Sequence, residues 1–160
     1  MNGLKYLRRP EKPSLAYIKT EGKSQPGIMF LPGFMSTMNG QKALALEQFS
    51  KKSGCSYVRF DYSGTAESTS EGYIYKIKDW VHDGIDVFNE LTTGPQVLVG
   101  SSMGAFIMLH IAKRFPERVL GMVGIAPSFS FLQYMHNVQR IYNDDTASSR
   151  EGFGESTRSM

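Results

Sequence analysis

Apolar positions in this chain fall into two kinds of pattern. Short unbroken or alternating runs occur at Ile28-Met29-Phe30-Leu31, at Tyr57-Val58 with Phe60, at Val97-Leu98-Val99 and through residues 119–125. Runs this short, bounded by turn residues, predict buried strands of a parallel sheet. Between them, apolar residues recur at helical spacing. Ala43, Leu44, Leu46 and Phe49 predict a helix over 39–52, ended by Gly54. Ile77, Val81, Ile85 and Phe88, widened by Trp80 and Leu91, predict another over 77–91. A third runs from Ala105 to Ala112 and closes on Lys113-Arg114. Residues 15–19, with Tyr17 and Ile18, alternate as an early strand at the sheet edge. Pro32-Gly33, Thr93-Gly94-Pro95, Phe115-Pro116 and Ala126-Pro127 punctuate the series. Strands alternating with helices predict an α/β chain, a mostly parallel sheet with helices on both faces.

The ends read differently. Residues 1–13 are basic and weakly amphipathic, and read as an exposed arm ahead of a domain over 14–126. Leu132, Met135, Val138 and Tyr142 lie on one face of a helix compatible with 127–142, and 143–160 is polar enough to read as a disordered tail. The 160 residues are enough for one domain with its own core. A formal charge of +3, with Lys and Arg scattered, forms no nucleic-acid stripe, so no nucleic-acid partner is expected. No apolar stretch is long enough for a membrane span. Cys55 is the single cysteine, which rules out an internal disulfide.

The candidate chemistry is at Gly100-Ser101-Ser102-Met103-Gly104, set between a predicted strand and a predicted helix. Gly-x-Ser-x-Gly in that context is the pattern of a nucleophile elbow, in which Ser102 stands on a strained turn with its hydroxyl exposed. Gly100 and Gly104 would be small because backbones approach closely there. The helix that follows would aim its first amides at developing negative charge. Two other readings compete. One is an ordinary strand-to-helix turn capped by Ser101 or Ser102. The other is a nucleotide-binding turn, which lacks a third glycine and a P-loop lysine.

A serine nucleophile needs a base and an acid, in the chain order serine, acid, histidine. Of the three histidines, His82 precedes the serine, and His110 starts about 12 Å beyond the turn by helix rise. His136 follows directly on the last predicted strand, and Asp144 and Asp145 lie in the polar tail. No base or acid is assigned to any of these. Asp61, at a strand tip, reads as a turn former accepting backbone hydrogen bonds. No metal-ligand spacing is present, and Met29, Met108 and Met122 read as core.

Three blocks in order, PGIMFLPGFMSTMNGQKALALEQF, CSYVRFDYSG and GPQVLVGSSMG, give a more specific signal than the elbow alone. They resemble the α/β-hydrolase family, and within it the mitochondrial palmitoyl-protein thioesterases that also cleave acyl glucuronides. The likeness covers about residues 15–125. It implies that Ser102 is the nucleophile, that the backbone amides of Phe34 and Met103 form the oxyanion hole, and that Gly33 lets the loop approach. It also implies that Met38-Asn39-Gly40 lie near the pocket mouth. The implied substrates are S-acylated proteins or small acyl esters, cleaved through an acyl-serine without a cofactor, in mitochondria. After Asp61-Tyr62-Ser63-Gly64 the family tends to carry another glycine, where this chain has Thr65-Ala66-Glu67. The matching part ends near Ile125, so the sheet reads as incomplete at its C-terminal end, short of acid and histidine. The main expectation is a serine hydrolase of acyl thioesters or esters. The alternative is a catalytically inactive form that binds acyl groups or a partner.

Overall fold

The structure, a computed structural model, describes residues 3–68 and 75–130. The chain divides into two compact units, Met1–Phe129 and Ser130–Met160. The expected helix over 127–142 falls almost wholly outside the described residues, and the tail over 143–160 entirely so.

Six strands form one sheet: β1 (Leu4–Arg9), β2 (Lys12–Thr20), β3 (Ser24–Leu31), β4 (Cys55–Phe60), β5 (Gln96–Ser101) and β6 (Val119–Ile125). Three helices connect them: α1 (Gln41–Ser53), α2 (Ile77–Leu91) and α3 (Met103–Arg114). The strand order is β1-β2-β4-β3-β5-β6. β2 runs antiparallel to both β1 and β4, and the other pairings are parallel. Parallel neighbours need crossovers, and the α1, α2 and α3 segments supply them.

Strand alternation sorts the core into two layers. Ile28, Phe30, Tyr57 and Val99 share the face on which Ala43 of α1 packs. Met29, Leu31 and Leu98 take the other face and are fully buried. There α2 and α3 pack together closely: a Cβ on Gly84 of α2 would lie 2.9 Å from Ile107 of α3 and 3.5 Å from Leu31. Each fully buried Leu, Ile, Phe or Met contributes about 1.5–3 kcal/mol relative to exposure.

Three expectations are corrected. First, residues 4–9 are not a free arm but the edge strand β1, with Leu4 opposite Ile18 and Leu7 opposite Leu15. Arg9 is the reason it stays. Its guanidinium donates to Asp83 Oδ1 at 2.7 Å, Asp86 Oδ2 at 2.9 Å and Ser63 Oγ at 2.9 Å, and twice to the Pro13 carbonyl. Its side chain is 6% exposed and that of Asp83 is 3% exposed. Second, the stripe expected on α1 is only partly inside. Ala43 is buried and Leu46 partly so, while Leu44 and Phe49 are 39% and 56% exposed. The contact side instead includes buried Ser50, which donates to the Glu47 carbonyl at 2.9 Å. Third, β6 was expected to be buried. Among the described residues it has no neighbour on its outer side, so Leu120 and Val123 are exposed. Met122, expected in the core, is 47% exposed for the same reason, whereas Met29 and Met108 are buried.

Candidate active site

β5 delivers Ser102 to the C-terminal edge of the parallel strands, and α3 begins at the next residue. Ser102 has φ 50° and ψ −116°, outside the regions an L-residue normally occupies. Such a conformation costs about 1–3 kcal/mol and persists only where the surroundings enforce it. The enforcement is visible. The Ser102 amide donates to the Ile125 carbonyl at 3.0 Å, and its carbonyl accepts from Ala105 at 3.0 Å and Ser128 at 3.2 Å. Replacing Ser102 by glycine, which tolerates positive φ, is therefore expected to raise stability by about 1 kcal/mol. Equilibrium urea unfolding checks this, and an unchanged or lower midpoint contradicts enforced strain.

Glycines let the elbow close. A Cβ on Gly104 would collide with the Leu31 carbonyl and come within 2.7 Å of the Pro32 oxygen. One on Gly100 would lie 2.6 Å from the Ala105 backbone. Across the gap, a Cβ on Gly33 would sit 3.3 Å from Ser102 Cβ, so the loop after β3 runs directly against the serine. Phe34, next in that loop, is partly exposed, with its ring 5.9 Å from Trp80. Met103 opens α3, so its amide is one of the first-turn donors that have no intrahelical acceptor. Ser102 and the loop carrying Phe34 are thus brought together. Met38 is fully buried rather than at a surface mouth, and donates its amide to Asp61 Oδ1 at 2.7 Å.

Charged groups nearby are committed elsewhere. Asp61 also accepts from the Glu67 amide at 3.2 Å. Burial pushes its carboxyl above the usual range, against the lowering effect of those two amides. It acts as the turn former that its position suggested. Asp83 accepts from the Ser63 amide and hydroxyl and from Arg9. His82 is exposed on α2. His110 is exposed on α3, its ring 4.8 Å from Phe106. It begins about 12 Å along the helix from Ser102. His136 lies outside the described residues. Among the described residues no group of three or more His, Cys, Asp or Glu is placed to hold a metal, and no helix is long and apolar enough to cross a membrane.

Sequence reasoning missed Arg59. Buried on β4, it donates to the Met38 carbonyl at 2.8 Å, Asn39 Oδ1 at 2.6 Å and Glu47 Oε2 at 3.0 Å. It pins the loop between Phe34 and α1. An arginine in an otherwise apolar strand was the available signal, since a buried charge must be paired.

The strained serine, the glycine contacts and the strand order agree with a match of residues 26–149 to the family model for the alpha/beta hydrolase fold. The chain belongs to the α/β-hydrolase family. This α/β-hydrolase chain is homologous to curated mitochondrial palmitoyl-protein thioesterases named ABHD10. It is 47% identical to the human protein over 123 residues, which cover 77% of this chain and 40% of that one. The rat protein is 46% identical over 123 residues, covering 77% and 41%. A solved structure of alpha/beta hydrolase domain-containing protein 10 from mouse is 44% identical, with a TM-score of 0.74, covering 78% of this chain and 49% of that one. A putative hydrolase from Agrobacterium vitis is 28% identical, with a TM-score of 0.71 and 80% and 52% coverage.

The chain thus spans about two fifths of the length of the curated relatives it matches. That overturns the main expectation of an acyl-serine hydrolase for these 160 residues. The family order places acid and histidine after the elbow. The matched part does not bring either to Ser102 among the described residues.

Proposed function

We propose that these 160 residues form a hydrolase-fold chain that binds an acyl ester or thioester at the Ser102 elbow without turning it over. The supporting observation is that neither described histidine reaches Ser102: His82 is exposed on α2 and His110 lies two turns along α3. Without a base the hydroxyl stays protonated and is a weak nucleophile. In this reading the amides of Met103 and Phe34 hold the acyl carbonyl oxygen, and the exposed Phe34 and Met35 side chains take part of the acyl chain. The acyl class and a mitochondrial location are carried from the relatives' names.

A serine triad stripped of members retains about 10³–10⁴-fold acceleration over water, from binding and the oxyanion hole alone. The test is hydrolysis of a short thioester by the full chain beside Ser102→Ala, with fluorophosphonate labelling in parallel. Equal rates in the two chains, no higher than that residual, and no labelling are expected, together with saturable binding of a non-hydrolysable acyl analogue. Serine-dependent turnover would sink the proposal and point to a base at His136.

A further inference from the structure

A cavity of about 240 Å³ lies on the α1 side of the elbow, separate from the face on which Ser102 stands. Its floor is apolar, made by Phe30 and Ala43, and its walls are polar. Three features of it converge on one chemistry. The first is an uncapped helix end. α1 has thirteen residues, Gly40 at its N-cap offers no side chain, and no acidic residue stands in the first turn. The amides of Gln41, Lys42 and Ala43 therefore point their partial positive charge at the cavity without an intrahelical acceptor. The second is Lys42 itself, a cation at the positive end of a helix. That placement is unfavourable unless an anion sits between them.

The third feature comes from a different element. Ser101 ends β5 opposite Ile125, on the same face as Val99 and Phe30, so alternation aims its side chain at this cavity rather than at the elbow. It is only 9% exposed, and among the described residues its hydroxyl has no hydrogen-bond partner. That hydroxyl opens onto the cavity, where it can donate to a ligand oxygen. Ser36 and Thr37 add hydroxyls on the opposite wall.

We propose that this cavity binds a phosphate group, free or as a small monoester, held by the first-turn amides of α1, the Lys42 ammonium and the Ser101 hydroxyl. Phosphate suits the donor set better than a carboxylate does. Its oxygens can take amide, ammonium and hydroxyl donors from several directions at once, and helix N-termini bind such groups recurrently. The apolar floor of Phe30 and Ala43 leaves room for an attached organic group. The site does not depend on how Ser102 is read, since Ser102 does not line it.

The experiment is a titration of the ¹⁵N-labelled full chain with inorganic phosphate at constant ionic strength, followed by amide shifts. Saturable movement of the Gln41–Ala43 amides is expected, and acetate is expected not to reproduce it. Phenyl phosphate distinguishes the sources: tighter binding than inorganic phosphate marks a monoester, and equal binding marks the free ion. Lys42→Glu is exposed and is expected to weaken binding by about tenfold or more, the scale of one charge-assisted hydrogen bond. Ser101→Ala is expected to weaken it several-fold. Lys113→Glu makes the same charge change at the far end of α3 and is expected to bind normally. Shifts that never saturate, acetate as effective as phosphate, or equal loss in the Lys42 and Lys113 variants would overturn the site.

Discussion

Arg9→Met is expected to lose about 3–5 kcal/mol of unfolding free energy at pH 7, the usual cost of removing one partner of a buried ion pair. Asp83 would stay behind at 3% exposure, with Ser63 as its remaining donor. Loss of the two Pro13 contacts would also release the turn between β1 and β2. The cost depends on pH, and its sign follows from Asp83. Burial holds that carboxyl above its ordinary value of 3.8, despite the opposing Ser63 amide and Arg9 charge. A raised folded pKa means that the folded state binds the proton more tightly. The penalty is therefore absent below the unfolded value and grows to its full size as pH rises through the folded one. Removing Arg9 moves the folded value further up, so the variant is expected to suffer far less near pH 4 than at pH 7. Urea unfolding at both values measures this. An equal loss at the two would mean that packing of the arginine stem, not the charge of Asp83, fastens β1.

Gly104→Ala is expected to be the other large effect, at about 3 kcal/mol or more. Overpacking usually costs about 1–3 kcal/mol when side chains can yield. Here the added methyl meets backbone: the Leu31 carbonyl oxygen, its carbon at 2.7 Å and the Pro32 oxygen at 2.7 Å. Neither a rotamer change nor a side-chain shift relieves that. The end of β3 must move away from α3, which also carries the Gly33-Phe34 loop off Ser102. The expected signature is a lowered urea midpoint together with amide shifts that extend from Leu31 through Met38. A variant as stable as the parent would show that the elbow is looser than its contacts imply.

The elbow itself was readable because every requirement it imposes is local. A strand, a helix and the five-residue Gly-x-Ser-x-Gly motif that joins them are contiguous, and small residues stand where backbones touch. The strands at 55–60 and 119–125 and the helix at 77–91 were equally legible, since each declares itself by run or period. What escaped depends on distant partners. Nothing near Arg9 announces Asp83, which lies 74 residues away and makes the arm a strand. Arg59 likewise takes its meaning from Glu47 and the Met38 carbonyl across the layer. On α1, counting hydrophobic residues favoured Leu44 and Phe49. Contact with the sheet there is made by Ala43, Leu46 and Ser50, with Tyr57 donating to the Ala43 carbonyl at 2.8 Å. Size at the contact, which periodicity does not report, decided which side faces in. The run at β6 read as buried because a strand's own sequence does not say whether a neighbour lies beyond it; only the resemblance, by ending near Ile125, implied an open edge.

That last strand has a colloidal consequence. VLGMVGI contains no charge and no proline, and among the described residues its outer row of amides and carbonyls has no ladder partner. The opposite border of the sheet, LKYLRR, is guarded by lysine and arginine, which keep like strands apart. The two borders therefore differ in what they permit: one repels copies of itself, the other is a template for any extended apolar segment that reaches it. Self-association seeded at β6 is therefore expected to rise with protein concentration.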